Sequence, residues 1–176
     1  MSMKGKVTRK SLRLHNFDYS SNGMYFITIC TYQKINLFGS IINGVMHLSP
    51  IGKIAEEEIA NANYKRAEHF IEITKYVIMP NHIHMIIQIY NPDLLHKYQK
   101  ESFSNPTSKS ISSTIRSYKS AVTKRIHEIN KSYEAEKIWQ PRYFDNIIRN
   151  EKAYQEIWNY IDSNVSRWEE DKFYIL

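Results

Sequence analysis

The chain has 176 residues, 42% of them hydrophobic and 24% charged, a composition typical of globular proteins that excludes a disordered or fibrous one. A chain of this length can bury a substantial core as one domain. Its single cysteine, Cys30, excludes an internal disulfide and a cysteine-based zinc site. No stretch approaches ~18 consecutive apolar residues, and no apolar run follows the basic N-terminus. We therefore expect no membrane span, no signal peptide and a cytoplasmic location.

The formal net charge of +6 is concentrated in two segments. Residues 1–20 carry five basic side chains and one acidic one, and residues 97–131 carry eight basic and two acidic ones. The rest of the chain is therefore net negative. Such clustering favours a polyanionic partner such as the phosphate backbone of a nucleic acid. A solvated helix face and a basic tail would explain the same pattern.

The first half of the chain predicts strands around one helix. Four segments rich in β-branched and aromatic residues predict strands at 24–32, 45–48, 71–79 and 82–90. The Asn43-Gly44 pair indicates a tight turn before the second of these strands. Ser49 and Pro50 are typical of a helix start, and apolar residues at helical spacing carry that helix to about residue 67.

The second half predicts two helices with a short strand between them. Residues 91–108 are polar, contain two prolines and indicate a loop. Residues 110–130 carry an isoleucine and valine stripe at helical spacing, and 144–148 fits a short strand. Asn150 can cap a final helix whose buried face holds aromatic and aliphatic residues.

This order of elements predicts an α+β fold. One mostly antiparallel sheet would be covered by helices on one face, and the split β-α-β-β-α-β, ferredoxin-like arrangement is the nearest standard pattern. We expect a basic N-terminal arm over residues 1–22 and a single domain over 23–176. The fold pattern alone predicts no function.

The sharpest local motif is His82-Ile83-His84 on a predicted strand. Because side chains alternate along a strand, the two histidines share one face while Ile83 and Met85 share the other. Two imidazoles about 7 Å apart along the strand can converge on one divalent ion. Two surface histidines on an open sheet face would give the same pattern, so a metal site requires a third ligand.

Tyr118 lies on the predicted basic helix, at one edge of its apolar stripe. A tyrosine at such an edge can bury its ring while its hydroxyl reaches outward. The neighbouring cations Arg116, Lys119 and Arg125 could pair with the phosphates of a bound strand. The periodicity alone favours a tyrosine at the rim of the core.

Taken together, these features resemble the IS200-like transposases, and within them the REP-associated tyrosine transposases. The string Met79-Pro80-Asn81-His82-Ile83-His84 is the most specific part of this resemblance. Shorter blocks appear in the expected order over most of the chain, at residues 12–19, 23–31, 38–39, 48–52, 118–120, 139–140, 143–149 and 160–164.

The resemblance implies a ferredoxin-like nuclease of the HUH type (histidine, hydrophobic residue, histidine) that cuts and rejoins single-stranded DNA containing a hairpin. His82 and His84 would be metal ligands for Mg²⁺ or Mn²⁺. Tyr118 would be the nucleophile and would form a 5′-phosphotyrosine. The arm residues are a further DNA contact that the resemblance implies: Lys4, Lys6, Arg9, Lys10 and Arg13.

The third metal ligand is where the chain departs from the family. IS200-type enzymes often carry a glutamine one helical turn after the tyrosine, and Val122 stands there instead. Asp145 is our candidate because a hard cation prefers oxygen, and His127 is a second possibility.

Two alternatives stay open at this point. A replication initiator or relaxase would use the same chemistry, although the small size of the chain argues against it. A domesticated transposase could bind single-stranded nucleic acid without cutting it. A homodimer is possible, and the pattern does not say whether each tyrosine would serve its own or its partner's histidines.

Overall fold

The structure is a computed structural model, and it describes residues 20–90, 92, 110–129, 131 and 137–174. Its helices and strands follow the predicted order closely. In chain order they are β1 (Gly23–Cys30), β2 (Gly39–Ile42), β3 (Val45–Leu48), α1 (Pro50–Arg66), β4 (Ile71–Met79), β5 (His82–Ile89), α2 (Ile111–Ile129), β6 (Phe144–Ile148) and α3 (Glu151–Ser163).

Four of the strands form one antiparallel sheet in the order β4-β5-β1-β6. The strands β2 and β3 form a separate hairpin, whose turn residues Asn43 and Gly44 both have positive φ. Without that hairpin the connectivity is β-α-β-β-α-β. The predicted α+β, ferredoxin-like fold class is therefore confirmed.

The core lies between one face of the sheet and the helices α1 and α2. Alternate residues of the two central strands point into it, among them Ile27, Ile29, Ile83, Met85 and Ile87. All five side chains are fully buried. Burial of this apolar surface, at about 25 cal/mol per Å², is the main term that holds the helices to the sheet.

The last helix, α3, lies on the other face of the sheet, although the predicted arrangement placed the helices on one face. Lys75 of β4 forms an ion pair with Asp162, and its ammonium lies 4.3 Å from the centre of the Trp158 ring. Two helices therefore pack on one face and α3 on the other. The central strand β5 is covered from both sides, and seven of its eight residues are buried.

Local signals set where the helices begin. The Ser49 hydroxyl accepts a hydrogen bond from the amide of Gly52, and the Asn150 side chain accepts one from Ala153. Both predicted N-caps are thus present. Among the described residues, no helix is long and apolar enough to span a membrane.

The first turn of α1 passes very close to the backbone before β2. A Cβ atom on Gly52 would lie 2.1 Å from the carbonyl oxygen of Phe38. That oxygen already accepts a hydrogen bond from the amide of Ser49, so it is held in place. Glycine is therefore required here because of the close approach.

We expect Gly52→Ala to destabilise the protein by about 1–3 kcal/mol, since a methyl group must push two backbone segments apart. Elsewhere in a helix the same substitution stabilises by up to ~1 kcal/mol. Urea unfolding measures the difference. The exposed neighbour Lys53 provides the control, because Lys53→Ala should stay within about 0.5 kcal/mol of wild type. A neutral or stabilising Gly52→Ala would contradict the contact.

Candidate metal centre

His82 and His84 lie on the face of β5 that is turned away from α1 and α2. Neither side chain is exposed to solvent, and their Nε2 atoms are 3.0 Å apart. Two nitrogen ligands about 2.1 Å from one ion would have this separation at an angle close to 90°. The pair is therefore spaced as two adjacent ligands of a single ion.

The remaining ring nitrogens are held by hydrogen-bond partners. The Asn81 side-chain nitrogen donates to the carbonyl oxygens of Lys34 and Phe173, which fixes the orientation of its amide. Its oxygen therefore accepts from Nδ1 of His82, at 2.8 Å. Nδ1 of His84 lies 2.7 Å from the hydroxyl of Thr28, which can also accept. Because each Nδ1 then carries the ring proton, both Nε2 atoms are unprotonated and can bind a metal.

Asp171 completes a group of three ligand atoms that all lie within 4.8 Å of one another. One carboxylate oxygen accepts from Tyr160 at 3.0 Å and from Asn164 at 3.1 Å, and the other accepts from the amide of Phe173 at 2.7 Å. Two imidazoles and a carboxylate can hold a divalent cation. The residues present thus fit a metal ion by their chemistry and by their spacing.

Burial keeps both imidazoles neutral. Burial, followed by the nearby charges of Lys172 and Lys34, lowers the pKa of His82 to about 3. Burial also places the pKa of His84 well below its usual range, with a contribution from His82. Neutral imidazole is the form that binds metals, so the pair is ready to act as ligands at neutral pH.

The C-terminal residues and α3 cover the two imidazoles. The Phe173 ring lies 4.6 Å from that of His82 and the Trp168 ring lies 5.9 Å away, measured between centroids. The Tyr160 and Phe26 rings each lie 5.2 Å from that of His84. In this conformation the side chains of the C-terminal segment close the site.

Tyr160 contacts this centre from α3. Its hydroxyl lies 3.1 Å from Nε2 of His84 and donates to Asp171. Burial, followed by the charge of Asp171, raises the pKa of Tyr160 to about 12, so the hydroxyl is protonated at neutral pH. A pocket of about 360 Å³ opens beside Tyr160 and Asp171 and is also lined by Arg167 and Lys172.

The structure does not bring Tyr118 to the histidines. Its side chain is 2% exposed, and its hydroxyl donates to the carbonyl oxygen of Ala55 on α1 at 2.8 Å. Burial, followed by the charge of Glu58, raises its pKa well above the usual value. Tyr118 packs in the core on the opposite face of the sheet from His82 and His84. The nucleophile that the resemblance implied therefore does not face the two implied metal ligands in this structure.

Asp145 also lies on the opposite face of the sheet. On β6 it pairs with Ile27, whose side chain points into the core, whereas its neighbour Phe144 pairs with Thr28 on the histidine face. Its predicted role as the third ligand is therefore wrong for this geometry. His127 belongs to α2, on the same side as Asp145, and is not part of the group.

The predicted DNA-binding cations on α2 are mostly engaged within the protein. The Lys119 ammonium donates to the carbonyl oxygens of Gln140 and Arg142, and burial lowers its pKa to about 8. Arg125 pairs with Glu57 and Glu58. Arg116 is exposed. The five arm residues, from Lys4 to Arg13, lie outside the described residues, so their predicted role is not tested.

Sequence reasoning missed Asp171 and Tyr160. Asp171 is one of three consecutive carboxylates, and nothing in that run distinguishes it from Glu169 and Glu170. Tyr160 belongs to one of the blocks that carried the resemblance, but it was one of thirteen tyrosines. Only the placement of α3 on the histidine face shows its position.

Comparison with known proteins agrees with this architecture. The chain is similar to a solved structure of a REP-associated tyrosine transposase bound to a REP hairpin, with a TM-score of 0.60 and 20% identity over 93% of this chain and 77% of that one. At this identity the likeness shows the fold alone, and the fold of this chain is similar to that of the transposase.

The sequence comparison shows the family of the chain. It is 37% identical over 175 residues to an uncharacterized protein of Haemophilus influenzae, covering 95% of this chain and 93% of that protein. The chain therefore belongs to the same family as that protein. No model of a known protein family matches the chain.

We expect Asp171→Asn to weaken Mn²⁺ binding by at least about tenfold, because the variant keeps the shape of the side chain but loses the charge that a hard cation requires. Isothermal titration calorimetry or the electron paramagnetic resonance signal of Mn²⁺ measures the affinity. Asp145→Asn is the matched control and should bind as wild type does. Equal losses in the two variants would contradict the assignment of Asp171.

We also expect stability to fall as the pH drops below ~6.5. The pKa of His82 is about 3 in the folded state and about 6.5 in the unfolded chain, so between these pH values the unfolded chain binds a proton that the folded chain does not. His82 contributes a slope of about 1.4 kcal/mol per pH unit in this window, His84 acts in the same direction, and the full stability is present above the window. Urea unfolding at several pH values measures the slope, and His82→Gln should reduce it. An unchanged slope in that variant would contradict the lowered pKa of His82.

Proposed function

We propose that this protein is a metal-dependent endonuclease and strand transferase that cleaves and rejoins single-stranded, hairpin-containing DNA, as a tyrosine transposase does. The observation that carries the proposal is the group formed by His82, His84 and Asp171, whose ligand atoms lie within 4.8 Å of one another. It occurs on a fold similar to that of a tyrosine transposase bound to a REP hairpin.

The ligand set suits chemistry on a phosphodiester. Two neutral imidazoles and one carboxylate leave the centre with a net positive charge when it holds Mg²⁺ or Mn²⁺. Such an ion polarises a non-bridging phosphate oxygen and stabilises the charge that develops in the transition state.

A tyrosine nucleophile fits a reaction that must be reversed. Attack of its hydroxyl on phosphorus forms a 5′-phosphotyrosine and releases a 3′-hydroxyl. The new bond conserves the energy of the phosphodiester, so the 3′-hydroxyl of the same or another strand can restore it. The reaction requires no external nucleophile and no nucleotide hydrolysis.

Access of DNA to the centre requires the covering residues to move. Phe173 and Trp168 must shift for a phosphate to approach the Nε2 atoms of the histidines. Lys34 and Lys172 lie on this covered side, where their side chains flank the ring of Phe173. We propose that these two cations, together with the basic arm, contact the phosphates of the bound strand.

The other parts of the proposal follow the sequence predictions. We propose Mg²⁺ or Mn²⁺ as the ion and a single-stranded hairpin as the DNA partner. The cytoplasmic location and the homodimer stay predictions.

We expect a single-stranded oligonucleotide that contains a suitable hairpin to become covalently attached to the protein in Mn²⁺ and to remain free in EDTA. Denaturing electrophoresis detects the attached species. His84→Ala should reduce attachment by about 100-fold or more, the scale on which loss of a transition-state charge stabiliser acts.

His69→Gln is the control for this experiment, since His69 lies outside the metal group, after α1. It should attach DNA as wild type does. Binding of the hairpin without any attachment would contradict the enzymatic proposal and indicate a protein that only binds DNA.

A further inference from the structure

A pocket of about 710 Å³ lies on α2, on the opposite side of the sheet from the candidate metal centre. One side of this pocket is formed by α2 and by Lys131 just after it. The other side is formed by Trp139 of the connector that precedes β6 (residues 137–143). Its volume is within the range of roughly 300–1,000 Å³ that is usual for small-molecule sites. We call it the α2 pocket, and its described lining residues include none of the candidate metal ligands.

The charge of the α2 pocket favours an anionic ligand. Three ammonium groups line it, those of Lys119, Lys124 and Lys131. Among its described lining residues only Glu128 is acidic. Glu128 lies 3.8 Å from Lys124, and both side chains are more than half exposed. Because such an exposed ion pair contributes little to stability, an anionic ligand can take the place of the carboxylate.

Lys119 is held in position by the connector. Its ammonium donates to the carbonyl oxygens of Gln140 and Arg142, at 2.9 and 2.7 Å. An ammonium has three N–H donors, so these two bonds leave one for a ligand. Burial lowers the pKa of Lys119 to about 8, and most molecules therefore keep the charge at neutral pH. A cation that is already fixed loses little freedom when it contacts a phosphate.

Trp139 forms an aromatic wall of the α2 pocket. Its indole N–H donates to the carbonyl oxygen of Lys119 at 3.1 Å. Its ring packs against the rings of Phe38 and Tyr118, whose centroids lie 5.5 and 6.1 Å away. These contacts fix the plane of the indole, which is only partly buried. The exposed part of the ring is available to stack with a flat group of a ligand.

His127 brings a buried polar atom to the α2 pocket. Its Nε2 has no hydrogen-bond partner among the described residues. Buried polar atoms nearly always have a partner in folded proteins, and an imidazole nitrogen can donate or accept according to its tautomer. The side chains of Ser120 and Thr123 line the same pocket. A ligand with hydroxyl groups, such as a sugar, would supply the partner that Nε2 lacks.

We propose that the α2 pocket binds a nucleoside phosphate. The lysines contact its phosphates, Trp139 contacts its base, and His127 contacts a hydroxyl of its sugar. Three ammonium groups around one pocket match the adjoining phosphates of a nucleoside di- or triphosphate, whereas a DNA strand brings one charge per nucleotide. The proposal goes beyond the DNA reaction, because it requires neither the metal ion nor the cleavage of a strand.

The test measures binding in EDTA, so that no ion at the histidines contributes. The full chain is titrated by isothermal calorimetry with nucleoside triphosphates that carry each of the four bases in turn. We expect a Kd of about 1–100 μM for at least one of them. Inorganic tripolyphosphate and the free nucleoside should each bind at least about tenfold more weakly, because each makes only part of the contacts.

Single substitutions locate the binding site. Lys124→Gln and Lys131→Gln should each raise the Kd about fivefold or more, because each removes a charge from an exposed position on the pocket wall. Lys53→Gln makes the same change at an exposed position on α1 and should bind as wild type does. Trp139→Leu should raise the Kd of the nucleoside triphosphate and leave that of tripolyphosphate unchanged, a difference that loss of charge does not produce.

Several outcomes would overturn the proposal. One is that no nucleoside triphosphate binds, and another is that tripolyphosphate binds equally well, which indicates a site for anions alone. A hairpin-free single-stranded oligonucleotide that binds more tightly, and is weakened by Lys124→Gln, would assign the pocket to a DNA strand instead. An equal loss in Lys53→Gln would indicate a general effect of charge.

The two proposals fail independently. His84→Ala removes a candidate metal ligand on the other face of the sheet, and we expect this variant to bind the nucleotide as wild type does. Nucleotide binding without any DNA attachment by wild-type protein would contradict the proposed function and support the α2 pocket. DNA attachment without nucleotide binding would support the proposed function and overturn the assignment of the pocket.

Discussion

Two imidazoles are buried at the start of strand β5, and much of the C-terminal structure is arranged around their hydrogen bonds. An unpaired polar group in such a place costs about 1–3 kcal/mol. The side chain of Asn81 meets part of this requirement by joining His82 to the backbone at residues 34 and 173. One amide therefore ties the strand β5 to two distant segments of the chain.

The sheet and all three helices could be predicted because their signals are local. The alternation along residues 82–89 separates a core face from a histidine face, and the caps at Ser49 and Asn150 require only neighbours in sequence. The ligands His82 and His84 could likewise be recognised on the sequence. Their spacing along one strand determines that they share a face.

The rest of the site could not be predicted, because it depends on contacts between distant segments. Asp171 reaches the histidines only because α3 crosses the second face of the sheet, and a polar stretch of residues 169–171 does not reveal that path. The position of Tyr118 at the edge of an apolar stripe was compatible with either burial or catalysis. Periodicity defines which side of a helix is buried but not which face of the sheet the helix covers.

The alternation along β5 places the core residues and the candidate metal ligands on opposite sides of the strand, so each set can change independently of the other. Ile83, Met85 and Ile87 pack in the core, while His82 and His84 belong to the candidate metal centre on the other side of the same strand. Substitutions of the candidate metal ligands therefore leave the packing under α1 and α2 intact. A lineage that lost these ligands would keep the folded scaffold, and selection could adapt that scaffold to a new cellular task.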